Sequence, residues 1–227
     1  DTPVNSSYIL GPGDELEINF YGSSDDEIIT TINREGKIIL PKIGPVSLVG
    51  MSFRDATEYL NNKVKTELIG VEVNLSIKQI RSIGVYILGE AYKPGKYVLS
   101  GLSSASNALF ISGGVNEQGS LRNIQILRNN SIIATYDFYD FLTKGSLKTD
   151  VQLEDGDVIF IPFFENTVQL GGAFKRPHKY EFLSGETIQD AINLAGGFNS
   201  EVMPDSRLEL SSIDRAASRR TISYLDP

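Results

Sequence analysis

Val85-Tyr-Ile-Leu-Gly-Glu-Ala-Tyr-Lys-Pro-Gly-Lys-Tyr97 is written a second time as Val168-Gln-Leu-Gly-Gly-Ala-Phe-Lys-Arg-Pro-His-Lys-Tyr180, an offset of 168 − 85 = 83 residues. Gly89, Pro94, Lys96 and Tyr97 fall on Gly172, Pro177, Lys179 and Tyr180, and Gly113-Gly114 falls on Gly196-Gly197 at the same offset. Between these anchors the register slips by one and recovers. A period this long, with glycines and prolines held at fixed places, reads as a duplicated supersecondary unit. The chain is therefore a tandem array, and its function is to be sought in that array.

Each copy has the same grammar. In the first, an apolar strand at 85–88 turns through Lys93-Pro-Gly95 and returns along 97–99. A short helix over 104–112, apolar at Ala105, Ala108 and Leu109, is stopped by Gly113-Gly114, because glycine takes the left-handed C-terminal conformation without a Cβ clash. Strands at 123–128 and 131–135 follow, then one helical turn flanked by Asp137 and Asp140 and closed by Gly145. The copy ends on Leu153-Glu-Asp-Gly-Asp-Val-Ile-Phe-Ile-Pro162, a Gly-Asp turn into a strand. In the second copy, Thr187 with Asp190 makes a capping box, Ile188, Ala191, Ile192 and Ala195 lie at helical spacing, and strands are expected over 207–210 and 221–224. A counterpart of the closing Gly-Asp strand is not found after them. This predicts a native polypeptide longer than these residues at both ends, since a sheet with that edge open is a pairing hazard. The connector 163–167 is too short for a free hinge, so the copies are expected to touch.

Residues 8–80 read as a separate unit. Gly11-Pro-Gly-Asp14 leads into a strand in which Leu16, Ile18 and Phe20 alternate with Glu15, Glu17 and Asn19. Short strands over 30–50 are punctuated by Gly36, Pro41, Gly44-Pro45 and Gly50, prolines that suit turns or edge strands. Ser52 caps a helix with Asp55 three residues on, its apolar stripe being Phe53, Ala56, Leu60, Val64 and Leu68. A strand alternating at Val71, Val73, Leu75 and Ile77 closes the unit. The charges up to residue 27 (Asp1, Asp14, Glu15, Glu17, Asp25, Asp26, Glu27) are all acidic; without a fixed ligand spacing they read as a solvated strand face and loop rather than a metal site.

Composition narrows the function classes. With 227 residues, 41% of them hydrophobic, there is room for two or three small domains. A net charge of −8 argues against a phosphate-backbone partner, so no nucleic acid is expected. No run of about 18 apolar residues spans a bilayer as a helix. The absence of cysteine excludes disulfides, thiolate zinc sites and cysteine nucleophiles, and a single histidine, His178, argues against a histidine metal site or a serine triad. No motif frames Asp155 and Asp157 as an acid/base pair; astride Gly156 they read as turn residues. No G-x-G-x-x-G begins at Gly171-Gly172. The reading is non-enzymatic, with no catalytic residues, cofactor or metal.

Three phrases then coincide: Tyr8-Ile-Leu-Gly-Pro-Gly-Asp14 into an alternating strand, Gly36-Lys-Ile-Ile-Leu-Pro-Lys-Ile-Gly44 before a Gly50-Met-Ser52 helix start, and tandem units of Gly-Glu-x-x-x-Pro-Gly with a helix ending Gly-Gly. In that order they resemble the outer-membrane polysaccharide export proteins, the Wza-like family. The resemblance implies an α+β chain made of a poly-export domain (1–81) and two soluble-ligand-binding β-grasp (SLBB) domains, 82–164 and 165–227, the second truncated at its C-terminus. It implies a periplasmic ring of identical subunits, associated with the outer membrane of a Gram-negative bacterium. That ring carries capsular or exopolysaccharide from an inner-membrane polysaccharide co-polymerase to the surface. The N-terminal lipidated cysteine and C-terminal amphipathic segment often found in that family are not in these residues, so attachment to the outer membrane is expected through segments absent here. The alternative reading is a periplasmic carbohydrate-binding or sensing β-grasp module that is not a conduit; a third is an envelope protein that binds only other proteins.

The candidate glycan contacts are the two repeated turns, Tyr92, Lys93, Lys96 and Tyr97 in one copy and Phe174, Lys175, Arg176, Lys179 and Tyr180, with His178, in the other. Aromatic faces stack on sugar rings and cations answer acidic sugars. The competing reading is a solvated hairpin whose aromatics pack on the helix below.

Overall fold

A computed structural model describes residues 4–22, 26–146, 150–203, 205, 207–214 and 219–225; Asp1 and Asp25 of the acidic run lie outside these residues. The N-terminal unit places β1 (Glu15–Gly22) between β2 (Asp26–Thr31) and β5 (Val71–Gln79), both antiparallel to it. Leu16, Ile18 and Phe20 of β1 and Val71, Val73 and Leu75 of β5 are buried on one face, as their alternation predicts. Against that face lies α1 (Phe53–Glu67), through Ala56, Leu60 and Val64. Each such leucine or valine taken from water contributes about 1.5–3 kcal/mol. Ser52 caps α1, its hydroxyl accepting from the Asp55 amide. A separate hairpin, β3 (Lys37–Leu40) with β4 (Gly44–Ser47), holds Pro45 on an edge where no ladder donor is needed. This unit's three-stranded sheet is wholly antiparallel.

The first copy is a five-stranded sheet in the order β7-β6-β10-β8-β9, made of β6 (Ser82–Gly89), β7 (Gly95–Ser100), β8 (Ile124–Arg128), β9 (Ser131–Tyr136) and β10 (Val158–Ile161). The last strand enters the middle, parallel to β6 and antiparallel to β8, so this sheet is mixed. Its core face gathers Val85, Ile87, Ile124, Ile126, Ile159 and Ile161 with Ala105, Ala108 and Leu109 of α2 (Ala105–Ile111). Gly113 and Gly114 take φ of 86° each and end α2, as their sequence position predicts. Asn129 and Asn130, at φ 50° and 61°, form the left-handed two-residue turn between β8 and β9. The one turn expected after Asp137 is a seven-residue helix, α3 (Phe138–Lys144), closed by Gly145 at φ 65°.

The second copy repeats the hairpin, β11 (Thr167–Gln169) with β12 (Lys179–Glu181), then α4 (Ile188–Leu194), then the pair β13 (Leu208–Asp214) and β14 (Arg219–Leu225). Among the described residues no strand joins β11 to β13, so two separate two-stranded sheets stand in this copy. Its buried apolar set is correspondingly small: Leu170, Phe174, Ala191 and Ala195.

Candidate functional site

Two Gly-Asp turns, written 143 residues apart (157 − 14), do the same structural work. Asp14 is fully buried; Tyr8 Oη donates to it at 2.8 Å, the Gly11 amide at 2.8 Å, the Arg81 amide at 2.9 Å and Arg81 Nη1 at 2.8 Å. Asp157, also fully buried, accepts from Arg128 Nε at 2.9 Å, Arg128 Nη2 at 2.8 Å and the Glu154 amide at 2.8 Å. In both, the residue three places earlier donates its N–H and a strand starts one residue later. Positive φ at Gly13 (97°) and Gly156 (87°) makes the turn possible. The expectation that Asp14 is solvated is thus overturned: an aspartate followed by a buried strand is carried inside, and a guanidinium compensates its charge. Burial and the bond to Asp14 push the Tyr8 phenol far above its ordinary range.

Arg81 also fixes the first joint of the array. Its carbonyl accepts from the Gly101 amide at 2.8 Å, its guanidinium lies 5.5 Å from the Tyr8 ring centre, and a side chain at Gly101 would press on it. The N-terminal unit and the first copy are thereby held through one residue. The second joint is built on Glu181, almost fully buried, which accepts from Ser120 Oγ and from the Leu121 and Arg122 amides at 2.8 and 3.1 Å. Arg122 reaches Asp137 at 3.1 Å and Glu186 at 2.7 Å and lies 5.2 Å from the Tyr139 ring centre. Burial works against its charge, but hydrogen bonds to Glu186 and Asp137 hold it above the usual arginine value. The connector is pinned as well: the Ser120 amide donates to Pro162 O at 2.8 Å and the Phe164 amide to Gln118 O at 3.1 Å. The copies do touch, as the short connector predicts. Neither Arg81 nor Arg122 carries a sequence signal, because no fixed short spacing links them to their partners: Asp14 lies 67 residues from Arg81, and Asp137 and Glu186 lie 15 and 64 residues from Arg122.

The two repeated turns superimpose in their bonding at a constant offset of 83. The Tyr92 amide donates to Gly114 O and the Lys175 amide to Gly197 O; Tyr97 Oη donates to Lys93 O at 2.6 Å and Tyr180 Oη to Arg176 O at 2.7 Å. Ala91 bridges Val115 and Phe174 bridges Phe198, again 83 apart. The slip seen in the sequence is therefore absent from the backbone. Phe174 occupies the place of Ala91, buried and stacked 5.1 Å from Phe198, and the residue equivalent to exposed Tyr92 is Lys175. Phe174 is core, not a surface contact, which corrects its inclusion among the glycan candidates. Tyr97 and Tyr180 are half-buried and anchor their turns. Arg176 Nη2 donates to Leu194 O at 3.0 Å at the end of α4, a capping role. Tyr92, Lys93, Lys96, Lys175, His178 and Lys179 remain exposed. Lys93 lies 6.0 Å from the Tyr92 ring centre, Lys96 5.7 Å from Tyr86 and Lys179 4.9 Å from Phe164. Each turn is thus a cation beside an aromatic, not a pocket. Among the described residues there is no cluster of three or more potential metal ligands, and no helix long and apolar enough to cross a membrane.

The polysaccharide biosynthesis/export protein family matches residues 2–78, and the SLBB domain family matches 84–161 and again 167–215. The chain thus carries a polysaccharide export domain followed by two SLBB domains, α+β throughout, and that order defines its class. It is similar to the polysialic acid transport protein KpsD of Escherichia coli, 33% identical over 183 residues, which cover 78% of this chain and 32% of that protein. A second Escherichia coli protein of the same name matches to the same extent. The chain thus spans about a third of the length of the curated relatives it matches.

Proposed function

We propose that this chain is the periplasmic part of an outer-membrane polysaccharide export protein, in which copies form a ring that conducts capsular or exopolysaccharide to the cell surface. The observation that carries the reading is the order of matched segments, an export domain and then two SLBB domains, together with similarity to a protein named for polysialic acid transport. We place the domain boundaries at 81/82 and 164/165. The joints at Arg81 and Arg122 support a wall segment, since a conduit must keep its units in fixed relation as polymer passes. The partners are the polysaccharide, an inner-membrane polysaccharide co-polymerase and further copies of this chain, with outer-membrane attachment through other segments. The protein makes and breaks no bond in its cargo.

A conduit must release each sugar as easily as it accepts it, so convergent deep pockets are disfavoured. Tyr92, Lys93, Lys96, Lys175 and Lys179 fit that requirement, being exposed and each contributing at most about 1 kcal/mol, with effect through repetition around a ring. Deleting the gene is expected to abolish surface polysaccharide while sugar-precursor pools stay intact. Normal surface polysaccharide in the deletion strain, together with micromolar or tighter binding of a defined oligosaccharide by the monomeric chain, would establish a binding module instead.

A further inference from the structure

We propose that the cleft between the two SLBB copies is a contact site for one uncharged pyranose residue of the cargo, an assignment that rests on polysaccharide export as the function. The cleft encloses about 330 Å³ between the 120–123 loop and β9 of the first copy, the connector, and the loop after β12 of the second. That is within the range of pockets that hold small ligands, roughly 300–1,000 Å³, and such pockets favour domain boundaries.

Its wall carries what a sugar ring needs. Phe163 is 62% exposed, although its neighbours Pro162 and Phe164 are hydrogen-bonded to the first copy and its own backbone bridges Gly119. An aromatic held out in water by a pinned backbone is a ready platform for the apolar face of a pyranose, and Phe182 lines the cleft as a second, half-buried ring. Four polar side chains line the same cleft: the Asn123 amide, the Thr135 and Ser184 hydroxyls and the Glu165 carboxylate. None of the four makes a hydrogen bond through its side chain among the described residues, so each is free to exchange one with a sugar hydroxyl. Elsewhere at this joint the polar groups are engaged: Glu181 by Ser120, Leu121 and Arg122, and Arg122 by Asp137 and Glu186.

Charge selects the ligand class. The cation in the cleft is already compensated by Asp137 and Glu186, and two further carboxylates of the lining have no ion-pair partner among the described residues: Glu181, engaged by neutral donors, and Glu165. An acidic sugar would meet a net negative wall, whereas a neutral or N-acetylated pyranose meets an aromatic face, an amide, two hydroxyls and a carboxylate that accepts from its hydroxyls. The exposed lysines of the turns answer anionic residues, so the two kinds of surface divide the cargo by charge. Affinity is millimolar, because the ring is gripped from one side and the groove is open to solvent.

The test is a titration of the isotope-labelled 227-residue chain with methyl glycosides of a neutral hexose, an N-acetylhexosamine and a uronic acid, followed by backbone amide shifts. The expected result is saturable shifts for the first two at 119–123, 163–165 and 183–184, and none there for the uronic acid. Phe163→Ala weakens binding by about tenfold or more. Glu165→Gln leaves neutral-sugar binding within about threefold, since the amide retains a carbonyl acceptor, and admits the uronic acid. Unchanged dispersion of the remaining amides verifies folding of each variant. Absence of shifts at the cleft, shifts confined to the turns, or binding unaffected by Phe163→Ala would overturn the site. If the deletion strain loses its surface polysaccharide while the cleft binds nothing, the site fails and the export function stands. If that strain keeps its polysaccharide, the export function fails whatever the cleft binds.

Discussion

The two SLBB copies share a turn, a hairpin and a capped helix, yet among the described residues the first gathers its strands into one five-stranded sheet and the second into two separate pairs. In the first, β10 enters between β6 and β8, and Ile159 and Ile161 are fully buried beneath α2. In the second, β11 and β13 belong to different sheets, and Leu208 and Leu210 stay half-buried. The hairpin and helix are locally encoded: Thr187 takes the Asp190 amide at 3.3 Å and Asp190 returns a 2.8 Å bond from the Thr187 amide, with no central strand beside them among the described residues. Core closure is not local. It depends on the Gly-Asp strand, whose aspartate brings its own arginine from β8.

The comparison breaks hardest at the arginines. Arg128→Ala leaves Asp157 buried without its counter-charge, and Arg81→Ala does the same to Asp14, so each is expected to lose about 3–5 kcal/mol in denaturant unfolding. A loss below about 1 kcal/mol would mean that the turn amides alone hold the carboxylates. Next is the central strand: Ile159→Ala is expected to cost about 2–5 kcal/mol, and Ile192→Ala, half-buried in the smaller core of the second copy, clearly less. Equal losses would contradict the difference drawn between the copies.

At the second joint, Glu181→Gln keeps the shape and removes the charge from the hydrogen bonds offered by Ser120, Leu121 and Arg122. A loss of about 1–3 kcal/mol is expected. It should appear as faster amide exchange over 167–194 with little change over 82–111; uniform change would show that the copies unfold as one. The smallest effect is at α4, where Thr187→Ala is expected to cost about 1 kcal/mol. The bond from Thr187 holds the Asp190 carboxyl below its ordinary value of 3.8. Its stabilising contribution is therefore full above that ordinary value and lost as pH falls through the lower folded-state value. Exchange at 188–195 should rise in that acid window in the wild type and show no such pH dependence in Asp190→Asn.

Much of this architecture is written locally. The alternation of Leu16, Ile18 and Phe20, the caps at Ser52 and Thr187, and the Gly-Gly stops are short-range signals, and the backbone follows each of them. Asn129-Asn130 between two apolar runs is likewise a readable turn, though it is not singled out by the repeat. What the sequence hides is pairing at a distance. Asp14 looks like one more acidic surface residue until Arg81, 67 residues on, is folded against it. Phe174 looks like the partner of Tyr92 because Ala-Tyr-Lys and Ala-Phe-Lys match by eye, whereas the backbone keeps the 83-residue register and puts Phe174 where Ala91 lies. The cleft has no linear signature, since its walls come from four separate segments spread from Ser120 to Ser184 that meet only once the copies dock.

Rigid joints between repeated units are what a conduit wall requires, and single-particle imaging of the full-length protein in detergent tests that account most directly. The account predicts a closed ring of identical subunits around a continuous lumen, with the export domain and both SLBB copies stacked in the fixed relation set by Arg81 and Arg122. Monomeric particles with no lumen, or SLBB copies that vary in orientation from particle to particle, would contradict it.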